Sequence, residues 1–234
     1  MHRGLTITPP FFEIGPKAYA YGQEVVELAR RAETLGHQYG VQVILTPQCV
    51  DIPVVAREAP SVLVFAQHMD SLRPGRGVGS ILPEAVRAAG AAGVLLNHVE
   101  RRLSRDELAR TIRRADEVGL LSMVCADDAR DAAAVAQMAP NVIIVEAPLL
   151  IAGGRRDDDG RQAIAAANEA VWGVNPEIRV LHGAGINSAR DVYDVIAAGA
   201  QGTGSSSAIF TASDPRATLE AMLRSVREAW DRTH

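Results

Sequence analysis

The sequence predicts a (β/α)8 barrel, and three observations lead to that fold class. Eight short apolar runs alternate with amphipathic helical patterns along 234 residues. Most of the runs are continuously apolar, which is typical of parallel strands covered by helices on both faces. Eight strand–helix units in a chain of this length indicate one closed barrel, and we expect a single domain over residues 1–234. A doubly wound open sheet is the second candidate, but the G-x-G-x-x-G turn expected after its first strand is missing.

The predicted strands are the eight apolar runs in chain order. They are FFEIG (11–15), VQVILTP (41–47), SVLVFAQ (61–67), GVLLNH (93–98), LSMVCA (121–126), NVIIVE (141–146), IRVLHG (178–183) and GTGSSS (202–207). The last run gives the weakest signal because Gly and Ser have a low propensity for strands.

Start and stop signals frame the predicted helices. The segment SRDELARTIRRADEVG begins with Ser104 as N-cap and has Glu107 three positions later, the pattern of a capping box. Gly119 follows that segment and predicts the end of the helix. The closing segment DPRATLEAMLRSVREAW has Asp214 as a cap and Pro215 at the first helical position.

The composition argues against several classes of protein. The net charge is −4, the pI is about 5.9 and long basic runs are absent, which disfavours a nucleic-acid binder. No apolar run has the length of a membrane span, and the first residues lack the apolar core of a signal peptide. Cys49 and Cys125 lie in apolar surroundings and are expected to be buried free thiols. We therefore expect a cytoplasmic protein with no nucleic-acid or membrane partner.

Polar side chains stand at the ends of several predicted strands or just beyond them. They are Lys17, Gln67, His68, Asn97, His98, Glu146 and His182. In a (β/α)8 barrel the carboxyl ends of the strands open on one face, so these side chains converge on a common opening, called the mouth below. For any one of them, a hydrogen-bonded structural role or a surface position is the alternative.

The residue types in this set suit proton transfer. A Glu carboxylate can abstract a proton from carbon, a neutral His can donate a hydrogen bond to the oxygen that gains negative charge, and a Lys supplies a fixed positive charge. No H-E-x-x-H or C-x-x-C pattern occurs, and the His and Glu residues are not spaced as metal ligands. We therefore expect no metal.

Seven segments carry a resemblance to a known family: TPQCVDI, FAQHMDSLRPG, LPEAVRAAGAAGVLLNHVE, IRRADEVGLLSMVCADD, VEAPLLIAGG, VLHGAGI and the closing SDP helix. Together they resemble the triosephosphate isomerase family in its short archaeal-type form. The resemblance implies a TIM-barrel fold and an isomerase of glycolysis and gluconeogenesis. Such an enzyme interconverts dihydroxyacetone phosphate and glyceraldehyde 3-phosphate through an enediolate and needs no cofactor.

The resemblance also implies roles for individual residues. It makes Glu146 the catalytic base, His98 the electrophile and Lys17 the cation beside the substrate. Glu100 is implied to pair with the lysine, and Asn97 to support the site from the same motif, LNHVE.

The phosphate group of the substrate is implied to lie against a lid and two backbone turns. The lid matches residues 147–154, which end at Gly154. The turns, whose backbone N–H groups would hold the phosphate, match Gly183, Ala184, Gly185, Ser206 and Ser207.

Departures from the family fall around the substrate. Gly15 stands where the family has an asparagine, and Val99 replaces a serine. These changes spare the Lys, His and Glu of the site but alter residues around the substrate. Three functions therefore stay open. They are a triosephosphate isomerase, an isomerase of a related phosphosugar such as a four-carbon ketose phosphate, and a barrel that binds a phosphorylated metabolite without turning it over.

The loop DSLRPGRGVGS (70–80) is expected to reach into a partner subunit, since the family forms homodimers or homotetramers. Val78 replaces a threonine at its tip.

Overall fold

The computed structural model describes residues 1, 4–146, 158–183 and 185–234. Eight parallel strands close into a barrel in chain order, and the last strand pairs back to the first. The strands are β1 (Phe11–Ile14), β2 (Gln42–Leu45), β3 (Leu63–Ala66), β4 (Gly93–Leu96), β5 (Leu121–Ala126), β6 (Val142–Val145), β7 (Arg179–His182) and β8 (Gly202–Ser205). The prediction of a (β/α)8 TIM barrel is confirmed, and the alternative of an open doubly wound sheet is wrong.

Helices follow the strands and cover the outside of the barrel. Within the described residues they are α1 (Gln23–Tyr39), α2 (Ile52–Glu58), α3 (Pro83–Ala88), α4 (Arg105–Val118), α5 (Ala129–Ala136), α6 (Asp158–Trp172), α7 (Ala189–Ala197), α8 (Ser207–Phe210) and α9 (Pro215–Thr233). None of these helices has both the length and the apolar character needed to cross a membrane.

The predicted helix ends are observed. The Ser104 hydroxyl accepts the Glu107 N–H at 3.2 Å, so it caps α4. The helix stops at Gly119, whose φ of 77° is left-handed. Asp214 accepts the Ala217 N–H at 3.0 Å at the start of α9.

Two apolar clusters make the core. The larger one lies between the strands and the helices, and the smaller one fills the barrel. Two buried rings dominate the smaller cluster, and each faces a glycine. A Cβ on Gly202 would lie 2.5 Å from the Phe11 ring, and a Cβ on Gly93 would lie 2.5 Å from the Phe65 ring. Glycine in β8 therefore makes room for Phe11, which explains why this strand has so weak a signal in the sequence.

Candidate active site

Lys17 lies in the loop after β1, and its position is fixed through its backbone. Its φ of 49° is left-handed, and its carbonyl oxygen accepts the side-chain amides of Gln48 at 2.6 Å and Gln67 at 2.9 Å. The Lys17 ammonium donates to Glu100 Oε1 at 2.7 Å. This bond from Lys17 is the main cause that lowers the pKa of Glu100. The ion pair links the ends of β1 and β4 across the mouth.

Asn97 ties the end of β4 to its surroundings. It is buried and has a left-handed φ of 61°. Its side-chain amide donates to the Cys125 carbonyl at 3.0 Å, and its oxygen accepts the Leu103 N–H at 3.1 Å. Both halves of the amide are therefore used to fix the turn that carries the next residue.

His98 has a hydrogen-bond partner that selects its tautomer. The backbone N–H of Glu100 donates to His98 Nδ1 at 3.1 Å, so Nδ1 must be an acceptor. In the neutral ring the proton then lies on Nε2. Burial is the largest of the causes that lower the pKa of His98, with Lys17 and Arg102 acting in the same direction and Glu146 and Glu100 opposing it. The site therefore favours a neutral imidazole that donates from Nε2.

Glu146 directly follows β6, where its backbone N–H donates to the Ala126 carbonyl at 2.9 Å. Its carboxylate lies beside the end of β7, since a Cβ on Gly183 would be 3.6 Å from Glu146 Oε1. The charge of Glu146 contributes to the pKa of His98. The structure therefore brings the predicted Lys, His and Glu together at one mouth.

Four of the residues predicted to hold a phosphate group, Gly183, Gly185, Ser206 and Ser207, lie at the ends of β7 and β8. Gly185 has a left-handed φ of 69°, which favours glycine. The Ser206 hydroxyl donates to the Gly15 carbonyl at 2.6 Å, and Ser207 is exposed at the start of α8. Ala184 of the predicted turn and the whole predicted lid at residues 147–154, which ends at Gly154, lie outside the described residues.

Two of the polar residues at strand ends have structural surroundings instead. The buried His182 ring lies 2.9 Å from Asn168 of α6, on the outer side of the barrel. His68 is also buried and lies 3.3 Å from Asp70. Within the described ranges, no three His, Cys, Asp or Glu side chains are grouped so that they could hold a metal ion.

Glu13 is a site residue that the sequence analysis missed. It lies in β1, and its Oε1 accepts the Thr46 hydroxyl at 2.7 Å. Burial is the largest cause that raises the pKa of Glu13 to about 7, Glu146 adds to the rise, and Thr46 and Lys17 oppose it. A signal was available: a lone carboxylate stands inside the apolar run FFEIG, two positions before Gly15 and so on the same face of the strand.

Comparisons with known proteins agree with this geometry. The family model described as triosephosphate isomerase matches residues 13–224. A triosephosphate isomerase from Sulfurisphaera tokodaii is 36% identical over 227 residues, covering 96% of this chain and 98% of the relative. One from Methanosarcina mazei is 34% identical over 223 residues, covering 93% of this chain and 99% of the relative.

A solved structure shows the same fold at much lower sequence identity. The crystal structure of triosephosphate isomerase from Bartonella henselae matches with a TM-score of 0.73 and 15% identity, covering 96% of this chain and all of that one. With the family model matching most of its length and archaeal relatives above 30% identity, the chain belongs to the triosephosphate isomerase family.

Proposed function

We propose that this chain interconverts dihydroxyacetone phosphate and glyceraldehyde 3-phosphate by proton transfer, with Glu146, His98 and Lys17 as its catalytic residues. One observation carries the assignment of these roles. A carboxylate, an imidazole with its donor on Nε2 and an ammonium group face one mouth from the ends of three different strands. These are the base, the neutral donor and the cation that enolisation next to a carbonyl needs.

In the proposed reaction the Glu146 carboxylate removes a proton from the carbon next to the carbonyl. The electron pair of that C–H bond forms the carbon–carbon double bond of an enediolate, and the carbonyl oxygen gains negative charge. His98 Nε2–H donates to this oxygen, and the Lys17 ammonium stabilises its charge. Glu146 then returns the proton to the former carbonyl carbon. The hydroxyl proton of the first carbon passes to the former carbonyl oxygen, relayed by His98 Nε2, so the carbonyl group has moved to the first carbon. The sequence of steps leaves the enzyme unchanged and uses no external oxidant or reductant.

The remaining predicted residues have supporting roles in this proposal. Asn97 and Glu100 keep His98 and Lys17 in place through the contacts described above. The turns at residues 183–185 and 206–207 would hold the phosphate group with backbone N–H groups. The lid at residues 147–154, with Gly154 at its end, would close over the same group.

Gly15 is the observation that favours a second candidate, an isomerase of a four-carbon ketose phosphate. A glycine at the mouth leaves room that a longer substrate could use. A barrel that only binds a phosphorylated metabolite is disfavoured, because such a protein has no need of a base, a donor and a cation in one place.

Replacing Glu146 by Gln tests the proposed base. The amide keeps the size of the side chain but cannot accept a proton, so kcat on glyceraldehyde 3-phosphate should fall by about 10²–10⁴-fold. Glu228→Gln is the control, because Glu228 is exposed on α9 and its removal changes the net charge equally. A folded Glu146→Gln protein with near-normal turnover would rule out this base. A four-carbon ketose phosphate assayed in parallel separates the two candidate substrates.

Self-association is the expected assembly, and we propose that the loop at residues 70–80 mediates it. Val78 at its tip is fully exposed, and Tyr21 and Val50, in the loops after β1 and β2, are also exposed apolar residues. Sedimentation of Val78→Asp should show a larger monomer fraction than the parent protein, and an unchanged mass would argue against this contact. A reducing, cytoplasmic location suits the two free thiols of Cys49 and Cys125.

A further inference from the structure

We propose that Glu13 is a further substrate-facing residue of this site, whose neutral carboxyl group hydrogen-bonds an oxygen of the bound sugar phosphate in the space left open by Gly15. The proposal rests on the function proposed above and adds a specificity-determining group to it. Four features carry it: the position of the side chain, its access to the mouth, its hydrogen bonds and the charges around it.

The position of Glu13 follows from strand register. Glu13 pairs with Ile44 of β2 and with Gly204 of β8. Its neighbour two positions back, Phe11, belongs to the apolar cluster that fills the barrel, so Glu13 also points inward, one tier closer to the mouth. The next inward position along the strand is Gly15, which has no side chain to cover the carboxyl group.

Two glycines leave the space that the carboxyl group occupies. A Cβ on Gly204 would lie 2.9 Å from Glu13 Oε2, and a Cβ on Gly15 would lie 3.2 Å from Oε1 and 3.5 Å from Oε2. Any larger residue at position 204 would therefore collide with the carboxyl group. At position 15, a side chain would stand between the carboxyl group and the mouth.

Glu13 is deep in the protein but keeps partial access to solvent. The barrel is closed beneath and beside it, because Phe11, two positions back, and Ile44, its partner in β2, are fully buried. The accessible part of the side chain therefore faces the mouth, on the side where Gly15 leaves space. A group at this place can be reached by a small polar ligand.

The hydrogen bonds of Glu13 leave one oxygen free. The Thr46 hydroxyl is 2.7 Å from Glu13 Oε1 and 3.3 Å from the Ile14 carbonyl. It can donate to an ionised Glu13, or accept from a protonated one while donating to Ile14, so both forms are accommodated. Glu13 Oε2 has no hydrogen-bond partner among the residues that the structure describes, and it is the oxygen available to a substrate.

Charged and titratable groups lie around Glu13, and its protonation state decides how it interacts with a substrate. Lys17 faces it from the loop after β1, Glu146 from β6 and the Cys125 thiol from β5. Burial raises the pKa of Cys125 well above its usual value, so that thiol stays neutral. Burial and Glu146 likewise bring the pKa of Glu13 to about 7. Neutral Glu13 can donate to a substrate oxygen, whereas ionised Glu13 repels the phosphate and the enediolate.

The expected consequence is a loss of activity as the pH rises through the pKa of Glu13. To measure this loss, kcat/KM of Glu13→Gln is divided by kcat/KM of the parent protein at each pH. We expect this ratio to rise about tenfold from pH 6 to pH 8.5, because the amide stays neutral and keeps a donor while Glu13 becomes ionised. Taking the ratio on the same substrate cancels the titration of the substrate phosphate. Glu228→Gln serves as the control, and its ratio should stay constant over the same range.

Thr46→Val provides a second variant in which Glu13 itself is kept. The Thr46 hydrogen bond lowers the pKa of Glu13, so its removal should shift the fall in kcat/KM to higher pH. A role of Glu13 in packing alone would not move this profile. If kcat/KM depended on pH in the same way in the parent, Glu13→Gln and Thr46→Val proteins, the proposal would be overturned.

A binding measurement separates this proposal from the function on which it rests. Calorimetry at pH 8.5 should show that Glu13→Gln strengthens the binding of glycerol 3-phosphate, which carries hydroxyl groups, more than that of inorganic phosphate. Equal effects on the two ligands would count against contact with Glu13. If the parent protein isomerises no triose phosphate, the proposed function fails, and the glycerol 3-phosphate titration still decides the role of Glu13.

Discussion

The ends of β4 and β1 face the same mouth, but by the motifs that carry the resemblance they match the family pattern to different extents. At β4 the motif LNHVE retains Asn97, His98 and Glu100. At β1 the lysine is retained, while Gly15 replaces an asparagine and an acid stands two positions before it.

The two strand ends differ because different contacts fix the residues that follow them. The turn after β4 is fixed by its own side chains and amides: the Glu100 N–H on the His98 ring, and the Asn97 amide between Leu103 and Cys125. Replacing Asn97 would remove two of these bonds and misplace the ring. The end of β1 is held from outside, by the side chains of Gln48 and Gln67, which follow β2 and β3 and donate to the Lys17 carbonyl. Residues 13 and 15 can therefore change without moving the lysine, which makes this end the place where substrate contacts can vary.

The largest expected effect lies at the end of β4. His98→Ala removes the Nε2–H donor, so kcat should fall by about 10²–10³-fold, as when one donor to a developing oxyanion is lost. Steady-state kinetics on glyceraldehyde 3-phosphate provides the measurement. Val99→Ser restores the residue of the family at the exposed neighbouring position and should change kcat little. Similar losses in both variants would mean that the whole turn, rather than the imidazole, had been disturbed.

The second effect concerns stability at the end of β1. The folded pKa of Glu13, about 7, exceeds its ordinary value of 4.5, so the native state binds the proton more tightly than the unfolded state does. The contribution of the protonated group to the free energy of unfolding is fully present below pH 4.5. This contribution, roughly 3 kcal/mol, is lost as the pH rises through 7. Glu13→Gln should lack this loss. Urea unfolding of both proteins at pH 5 and pH 8 tests it, and an equal pH dependence would refute it.

The smallest effect tests whether Glu13 and Gly15 at the end of β1 act together. In Gly15→Asn the new Cβ comes within 3.2 Å of the Glu13 carboxyl group, so we expect kcat/KM to fall about tenfold. Adding Glu13→Ala should cost less in the Gly15→Asn background than in the parent protein, because it relieves the crowding, and a double-mutant cycle measures this coupling. Additive effects would show that residues 13 and 15 act separately. A gain in Gly15→Asn alone would show that the lost asparagine contact outweighs crowding.

Much of the fold could be predicted because strand and helix signals are local. The apolar runs mark the strands, and caps such as Ser104 and Asp214 mark where helices begin. The signal for β8 was weak because its glycines serve tertiary contacts with Phe11 and Glu13. No propensity scale contains such contacts, since the partner side chains come from the far end of the chain.

The site was less accessible to sequence reasoning because the direction of a side chain decides its role. His98 and His182 both stand at strand ends, yet only His98 lies in the group at the mouth, while His182 turns outward to Asn168. Glu13 is hidden inside an apolar run, and its place beside Glu146 depends on how the barrel closes. The roles of the predicted residues, and those of Gly154 and Ala184 in particular, stay predictions until the variants are measured.

The pairing of Phe11 with Gly202 and of Phe65 with Gly93 also restricts how this lineage can evolve. At each pair, enlarging the glycine first would drive a Cβ into a fixed ring, and shrinking the ring first would open a cavity. Either single step is destabilising, so the two positions should change together or stay as they are. Among descendants of this chain, we therefore expect positions 11 and 202, and likewise 65 and 93, to covary, although each pair is far apart in the sequence.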